Sequence, residues 1–454
     1  MKKAIIIFTR IPMAGKTKTR LEPYYSKQEC EELHTCFLRD YAKTLNDIYD
    51  EDADIFVFYS GDGDINKLEK IFMHNVISDY IEQRGNDIGE KMKNAFIDVF
   101  ALKYDRIVLV GSDVPTMSSY DLSDAFNKLE VCDFVIAPVE DGGYYLIGMN
   151  EMHNEVFQLD KYGNQEVLVK TIKEIKKLEL TYHIMNEKFD IDTARDLIKY
   201  EKYSTMKKAE NSYTYRYIMD HKRISVVIPI YNEMKNIFKL EELIKSLIKC
   251  YEIILVDGES SDGTYEYFID NIMKFKKNVR IIKSKKGRSN QMNIGSVQCI
   301  GQILLFLHAD SSIDINYYDE IIRVMKINDA ACFKIKFDSN KILMVFNSFF
   351  SNMRSKYRKI IFGDQGYIIN HSVFDEIGGF EEIPIMEDYQ LSLELKKHKK
   401  KVGMINSYIT TSSRRYSNKS SEILKTMCLM FKLRKMYREN IDINIINELY
   451  KDVR

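Results

Sequence analysis

A chain of 454 residues is too long for one ordinary core, so two domains of roughly 200 residues are expected. Lys+Arg and Asp+Glu both number 67, which excludes a global field drawing the chain to nucleic acid or an anionic membrane; any phosphate recognition must be local. The 7 cysteines are odd in number and lack a CxxC spacing, which fits a reduced, cytoplasmic compartment better than a disulfide framework. No signal peptide is expected, because the apolar run Ala4–Phe8 meets Arg10 at once. No run approaches the ~18 apolar residues of a membrane span.

Ala4–Phe8 reads as a first strand, followed by TRIPMAGKTKTRL. Arg10, Lys16, Lys18 and Arg20 stand beside Gly15 there, and Arg10, Lys16 and Arg20 are candidate phosphate contacts. The competing reading is a solvated basic loop. A Walker A loop is excluded, since its first glycine would fall on Arg10. Ser26 and Glu29 form a capping-box pattern that starts a helix carrying Leu33, Phe37 and Tyr41. Strands are expected at Ile55–Tyr59 and Arg106–Val110, the second running into GSDVP, where Asp113 is placed to hold Mg²⁺ against phosphates. Phe134–Pro138 is a further strand before EDGGYYLIG. In FDIDTARDL, Asp190 and Asp192 alternate along an extended segment and point the same way, while Asp192 or Thr193 caps the next helix. Residues 199–223, dense in Lys and Tyr without clean periodicity, read as a helical or irregular connector.

In the second half, Ile224–Ile228 and Ile253–Val256 read as buried parallel strands. The helix between them turns Leu240, Leu243, Ile244, Leu247 and Ile248 inward. Ligands of such βαβ units bind beyond the carboxyl ends of the strands, where Pro229–Glu233 and Asp257–Thr264 fall. Asp262 is the expected N-cap of the following helix. A strand at Val279–Lys283 leads into KKGRSNQMNIG, whose amides and Arg288 suit a diphosphate. Ile303–Leu307 runs into HADSS, and FGDQGYIIN precedes the Glu387-Asp388 pair, which opens a helix with Leu391, Leu393 and Leu395 on its apolar face. Ile423–Tyr437 is amphipathic; it either packs against the body or lies at a membrane interface in peripheral contact.

FTRIPMAGKTKTRL, GSDVP, EDGGYYLIG and DIDTARDL together resemble a GT-A-like family related to the nucleotidyltransferases of molybdenum-cofactor and deazaflavin-cofactor assembly. The resemblance implies that Asp113, Asp190 and Asp192 hold a divalent metal. One departure is that the usual LAAGxGxR-type loop is basic here. PIYNE, VDGESSDGT, FLHAD and MEDYQLSLEL resemble the family 2 glycosyltransferases, and FLHAD with SRRY resembles the subgroup linked to arsenosugar biosynthesis. That resemblance implies nucleotide-sugar contacts from Pro229, Tyr231, Glu233, Asp257, Arg288 and Arg415. It implies a metal carboxylate at Asp310 and a catalytic base at Asp388. His308 is either a further metal ligand or a structural residue, and the Glu387-Asp388 pair could instead only complement a helix dipole.

The fold class expected is α/β, with two tandem GT-A-like domains at 1–205 and 223–454 and a linker at 206–222. The function expected is inverting, Mg²⁺- or Mn²⁺-dependent transfer of a sugar from a nucleotide-sugar donor. The acceptor would be a hydroxyl or carboxylate on a small molecule or lipid, with no nucleic-acid partner and no transmembrane segment. Two alternatives stay open: a bifunctional protein whose first half is a nucleotidyltransferase, and a nucleotide-binding scaffold without turnover.

Overall fold

A computed structural model describes the chain except for residues 48–52, 160–161, 163–165, 207–210, 248, 276–277, 315, 340, 413–419 and 452–454. The chain divides into two units, Met1–Ile218 and Met219–Arg454. Each is an α/β fold around one mixed sheet, and the two are tandem GT-A-like domains.

The first sheet contains β1 (Lys3–Arg10), β2 (Ala53–Ser60), β3 (Ile77–Glu82), β4 (Arg106–Gly111), β5 (Phe134–Pro138), β6 (Tyr144–Met149) and β7 (Tyr182–Ile184). Its order is β3-β2-β1-β4-β6-β5-β7. The second contains β8 (Ile224–Ile230), β9 (Glu252–Asp257), β10 (Asn278–Lys283), β11 (Ile303–Phe306), β12 (Ser312–Ile313), β13 (Ala330–Phe337), β14 (Tyr367–Asn370) and β15 (Val402–Thr411). Its order, β10-β9-β8-β11-β14-β13-β15-β12, repeats the first with β12 added at the edge. In both, the fourth strand lies parallel to the first and its other neighbour, β6 or β14, runs antiparallel. Two similar architectures therefore arise from dissimilar sequences.

The unbroken apolar runs follow from burial on both faces of each sheet. Ile5 and Ile7 of β1 pack in one cluster with Leu38, whereas Ala4, Ile6 and Phe8 pack in another with Phe96. Val226 and Ile228 of β8 likewise join Leu240 on one face, and Val227 meets Met292 on the other.

The segment before the unit boundary is not a loose connector along its described length. Helices span Ala194–Met206 and Tyr213–Asp220. Asp40, on helix Lys27–Asn46, accepts hydrogen bonds from the Ser212 hydroxyl (2.7 Å) and the amides of Tyr213 (2.7 Å) and Thr214 (2.9 Å). The carboxylate thus supplies the cap that the second helix needs for its orphan amides. The Tyr217 hydroxyl donates to the Glu29 carbonyl (3.0 Å), so the fold of the first unit runs beyond residue 205.

A buried polar network ties β8, β9 and β10 together at their amino ends. Glu252, 1% exposed, accepts from the Ser225 hydroxyl (2.6 Å), the Ile300 amide (2.7 Å) and the Arg280 guanidinium (2.7 Å). Replacing Glu252 with Leu should destabilise the second unit by about 2–4 kcal/mol, because three donors lose their acceptor. Urea unfolding checks this; a change below about 1 kcal/mol would show that the donors find other partners.

Candidate functional site

In the first unit the loop after β1 delivers Lys18 in a left-handed conformation, φ 52°. Its Nζ lies 2.7 Å from Asp113 Oδ1, 3.1 Å from Asp192 Oδ1 and 2.9 Å from the Ile191 carbonyl oxygen, with only 5% of the side chain exposed. Burial opposes this charge, but Asp113 and Asp192 outweigh it and hold the Lys18 pKa above its ordinary value. The segment carrying Asp192 reaches GSDVP through the Ile191 amide, which donates to the Asp113 carbonyl oxygen (3.1 Å). Arg20 pairs with Asp192 Oδ2 at 2.9 Å, and the exposed Arg10 donates to the Lys16 carbonyl oxygen at 3.5 Å. Asp190 is pushed up to about 6 by burial, then by Asp192 and Asp141. His34 lies buried beneath this group, and burial pushes it down to about 4, so its ring is neutral at pH 7.

In the second unit two loops are stitched together beyond the carboxyl ends of β8 and β9. The Asn232 amide donates to Ser260 Oγ (2.9 Å), the Ser261 amide to Asn232 Oδ1 (2.8 Å), and the Met234 amide to Asp262 Oδ2 (2.9 Å). Asp257, 1% exposed, accepts from the Ser260 amide through Oδ2 (3.0 Å). Its Oδ1 is buried and has no hydrogen-bond partner among the described residues. An acceptor left so is costly unless a ligand completes it. Glu233 Oε2 accepts from the Asn236 amide group (2.9 Å). Pro229 is half-buried at the end of β8, and Tyr231 lies under the Lys286 ammonium, 3.9 Å from its ring centroid.

A small cleft lined by Arg288, His308, Gly363, Glu387 and Asp388, with Phe306, Tyr367 and Phe380 among its walls, lies in the same unit. Helix Glu387–Lys397 starts after Met386, itself left-handed at φ 72°. Asp388 Oδ2 accepts from the Gly363 amide and Oδ1 from the Tyr389 amide, both at 2.7 Å. Burial, reinforced by Glu387 and Asp364 and opposed by the Gly363 amide and Arg288, pushes Asp388 up to about 7. A Cβ on Gly363 would lie 2.6 Å from His308 Nε2 and 3.5 Å from Asp388 Oδ2, so glycine alone lets these groups converge. Arg288 sits at the first turn of helix Arg288–Val297 and pairs with Glu387 at 3.6 Å. Asp310 is half-buried in the turn after β11 and, like Asp388, acts on the Arg288 charge.

Residues 225–380 match the family described as glycosyl transferase family 2. The second unit carries a family 2 glycosyltransferase domain. Residues 44–164 match a family described as an uncharacterized protein conserved in bacteria. The chain is 26% identical over 148 residues to 2-phospho-L-lactate guanylyltransferase of Methanobrevibacter smithii, covering 32% of this chain and 62% of that relative. It is 35% identical over 98 residues to the glycosyltransferase AglE of Haloferax volcanii, covering 20% of this chain and 31% of that protein. The chain thus spans less than two thirds of either relative. A crystal structure from Desulfovibrio desulfuricans, named a nucleotide-diphospho-sugar transferase, aligns at 30% identity and TM-score 0.45, covering 48% of this chain and 93% of that one.

The family 2 domain brings Asp388, His308 and Arg288 to one cleft, and holds Glu233 and Asp257 in the loops at the ends of β8 and β9. Arg415 lies outside the described residues, as does Ile248. Helix Thr264–Asn271 takes Gly263 as its N-cap, and Asp262 instead accepts from Thr264 and Met234. Leu391 and Leu395 pack on the sheet, but Leu393 faces a separate cluster with Tyr389 and Leu433, so the three do not form one face. Gln291 went unnoticed in the sequence: its side-chain amide donates to the Ile230 and Val256 carbonyl oxygens (2.8 and 2.7 Å) and holds the two strand ends together. Its place one turn into the helix after KKGR was the available signal.

No group of three or more His, Cys, Asp or Glu side chains that could hold a metal ion occurs among the described residues. In the first unit the Lys18 ammonium lies between Asp113 and Asp192, two of the three acids expected at a metal. In the family 2 domain Asp310 and His308 offer a partial donor set, which suits a cation completed by phosphate oxygens.

Proposed function

We propose that the family 2 domain transfers a glycosyl group from a nucleotide-sugar donor to an acceptor, with inversion and Asp388 as general base. The observation carrying this is Asp388 itself: half-buried, aimed by two amides, and raised to about 7, where it can take a proton near neutral pH. The unpartnered oxygen of Asp257, with Glu233, Pro229 and Tyr231 around the same loops, suits the nucleoside. Arg288 and the amides opening its helix suit the diphosphate, and Arg415 belongs to the same proposal. Asp310, with His308, would hold Mg²⁺ or Mn²⁺. Such an ion, when bound, neutralises the charge developing on the leaving nucleoside diphosphate. FLHAD supports the narrower likeness to the arsenosugar-associated subgroup. Incubating the full chain with a panel of sugar nucleotides, Mn²⁺ and small-molecule or lipid acceptors tests the reading. Turnover of at least one donor is expected; nucleotide binding without turnover would support the scaffold reading instead.

A second reading applies to the first unit, where a buried ammonium between Asp113 and Asp192 stands under a basic loop. This suits nucleotidyl transfer, with Arg10, Lys16 and Arg20 meeting phosphates and Asp113, Asp190 and Asp192 available to a divalent ion once Lys18 turns to the ligand. Lys18→Met keeps the volume and leaves the acids uncompensated, so the first unit should lose about 1–3 kcal/mol. Millimolar Mn²⁺ should recover part of that loss in the variant and raise its melting temperature more than that of the wild type. Equal shifts in the two proteins would remove Lys18 from the cation site.

A further inference from the structure

Helix Ile342–Arg358 is built inside out. Its buried positions are Met344, Ser351 and Ser355, with Asn352 holding the β13 backbone at Ile335 through both an accepted (2.8 Å) and a donated (3.1 Å) hydrogen bond. Its exposed positions are large and apolar: Ile342 (74%), Val345 (59%), Phe346 (53%), Phe349 (56%), Phe350 (60%) and Tyr357 (66%). These recur at the three- and four-residue steps of one helical face. A helix that only had to pack on the domain would turn that face inward.

Charge shows what covers the face. Between Asp338 and Asp364 the chain has five cations, Lys341, Arg354, Lys356, Arg358 and Lys359, and no acid. Lys356, Arg358 and Lys359 are exposed beside Tyr357. Helix Ser420–Arg438 packs alongside and exposes Leu424 (53%) and Phe431 (58%) among Lys425, Lys432 and Lys435. A second copy of the chain would set like charges against like. No helix among the described residues is long and apolar enough to cross a membrane.

We propose that helix Ile342–Arg358 docks the second unit on an anionic lipid surface, its phenylalanines entering the headgroup–acyl boundary and its cations meeting lipid phosphates. The assignment rests on this helix and its neighbour, and stands whether or not the transferase reading holds. The helix reaches the cleft directly: Arg354 donates to Gln365 Oε1 (3.0 Å) and stacks 4.2 Å from the Phe362 ring centroid, next to the Gly363 that holds Asp388.

The chain has no tryptophan, so Phe350→Trp places a single reporter on the face. Adding vesicles of phosphatidylcholine with about a third phosphatidylglycerol should shift its emission to the blue; pure phosphatidylcholine should act about tenfold or more weaker, and salt should reverse binding. In co-sedimentation with the same vesicles, the Phe346→Ser/Phe349→Ser/Phe350→Ser chain should bind about tenfold or more weaker with an unchanged melting temperature. Lys356→Glu/Lys359→Glu gives the same test should the serine variant fail to fold. An unshifted emission, vesicle binding by both variants equal to wild type, or a wild-type dimer that the serine variant dissociates would each overturn the proposal.

Discussion

Asp388→Asn should leave donor binding close to wild type while transfer falls by about two or more orders of magnitude. Asparagine keeps the shape and the oxygen that accepts from the Gly363 amide, but it cannot take a proton. Because burial pushes Asp388 up to about 7, its ionised fraction grows as pH rises through that value. The wild-type rate should therefore climb as pH rises through about 7 and level off above, whereas the residual rate of the variant should lack that step. Steady-state kinetics from pH 5.5 to 9 measure both (roughly the span over which such a group changes state). Near-normal transfer by the variant would move the base elsewhere in the cleft, with Glu387 next in line.

Asp310→Ala should remove the Mn²⁺-dependent part of donor affinity, about a hundredfold at millimolar metal. The reason lies in how little the protein offers a cation without the donor. Among the described residues no three ligands stand together, so the loss of one carboxylate removes much of what binds the ion to the chain. Titration of a donor with and without Mn²⁺ checks this in wild type and variant. Unchanged metal dependence would place the ion away from Asp310 and make His308→Ala the informative variant.

Much of the fold was legible because strands bury both faces and announce themselves as local apolar runs. Ala4–Phe8, Phe134–Pro138 and Ile224–Ile228 all became strands of the two sheets, the first and last slightly extended. The ends of such runs held Asp113, Asp257 and Asp310, since a parallel strand places its carboxyl end at the crevice wherever the chain goes next. Helix Ile342–Arg358 was not noticed, although its apolar residues are regularly spaced. Periodicity reports that a face exists, not that the domain covers it.

Residue types and their order thus determined the two α/β sheets, the loops at their ends and the acids those loops carry. Tertiary structure decided which charges meet. Nothing local distinguishes Lys18 from Arg10, Lys16 and Arg20, yet Lys18 alone among the four has its Nζ between Asp113 and Asp192, 95 and 174 residues away by their numbers. Likewise Gly363 and Asp388 are joined only because β14 runs antiparallel beside β11 and returns the chain to the cleft. Contacts between residues so far apart depend on the packing of whole elements, which no window of sequence contains.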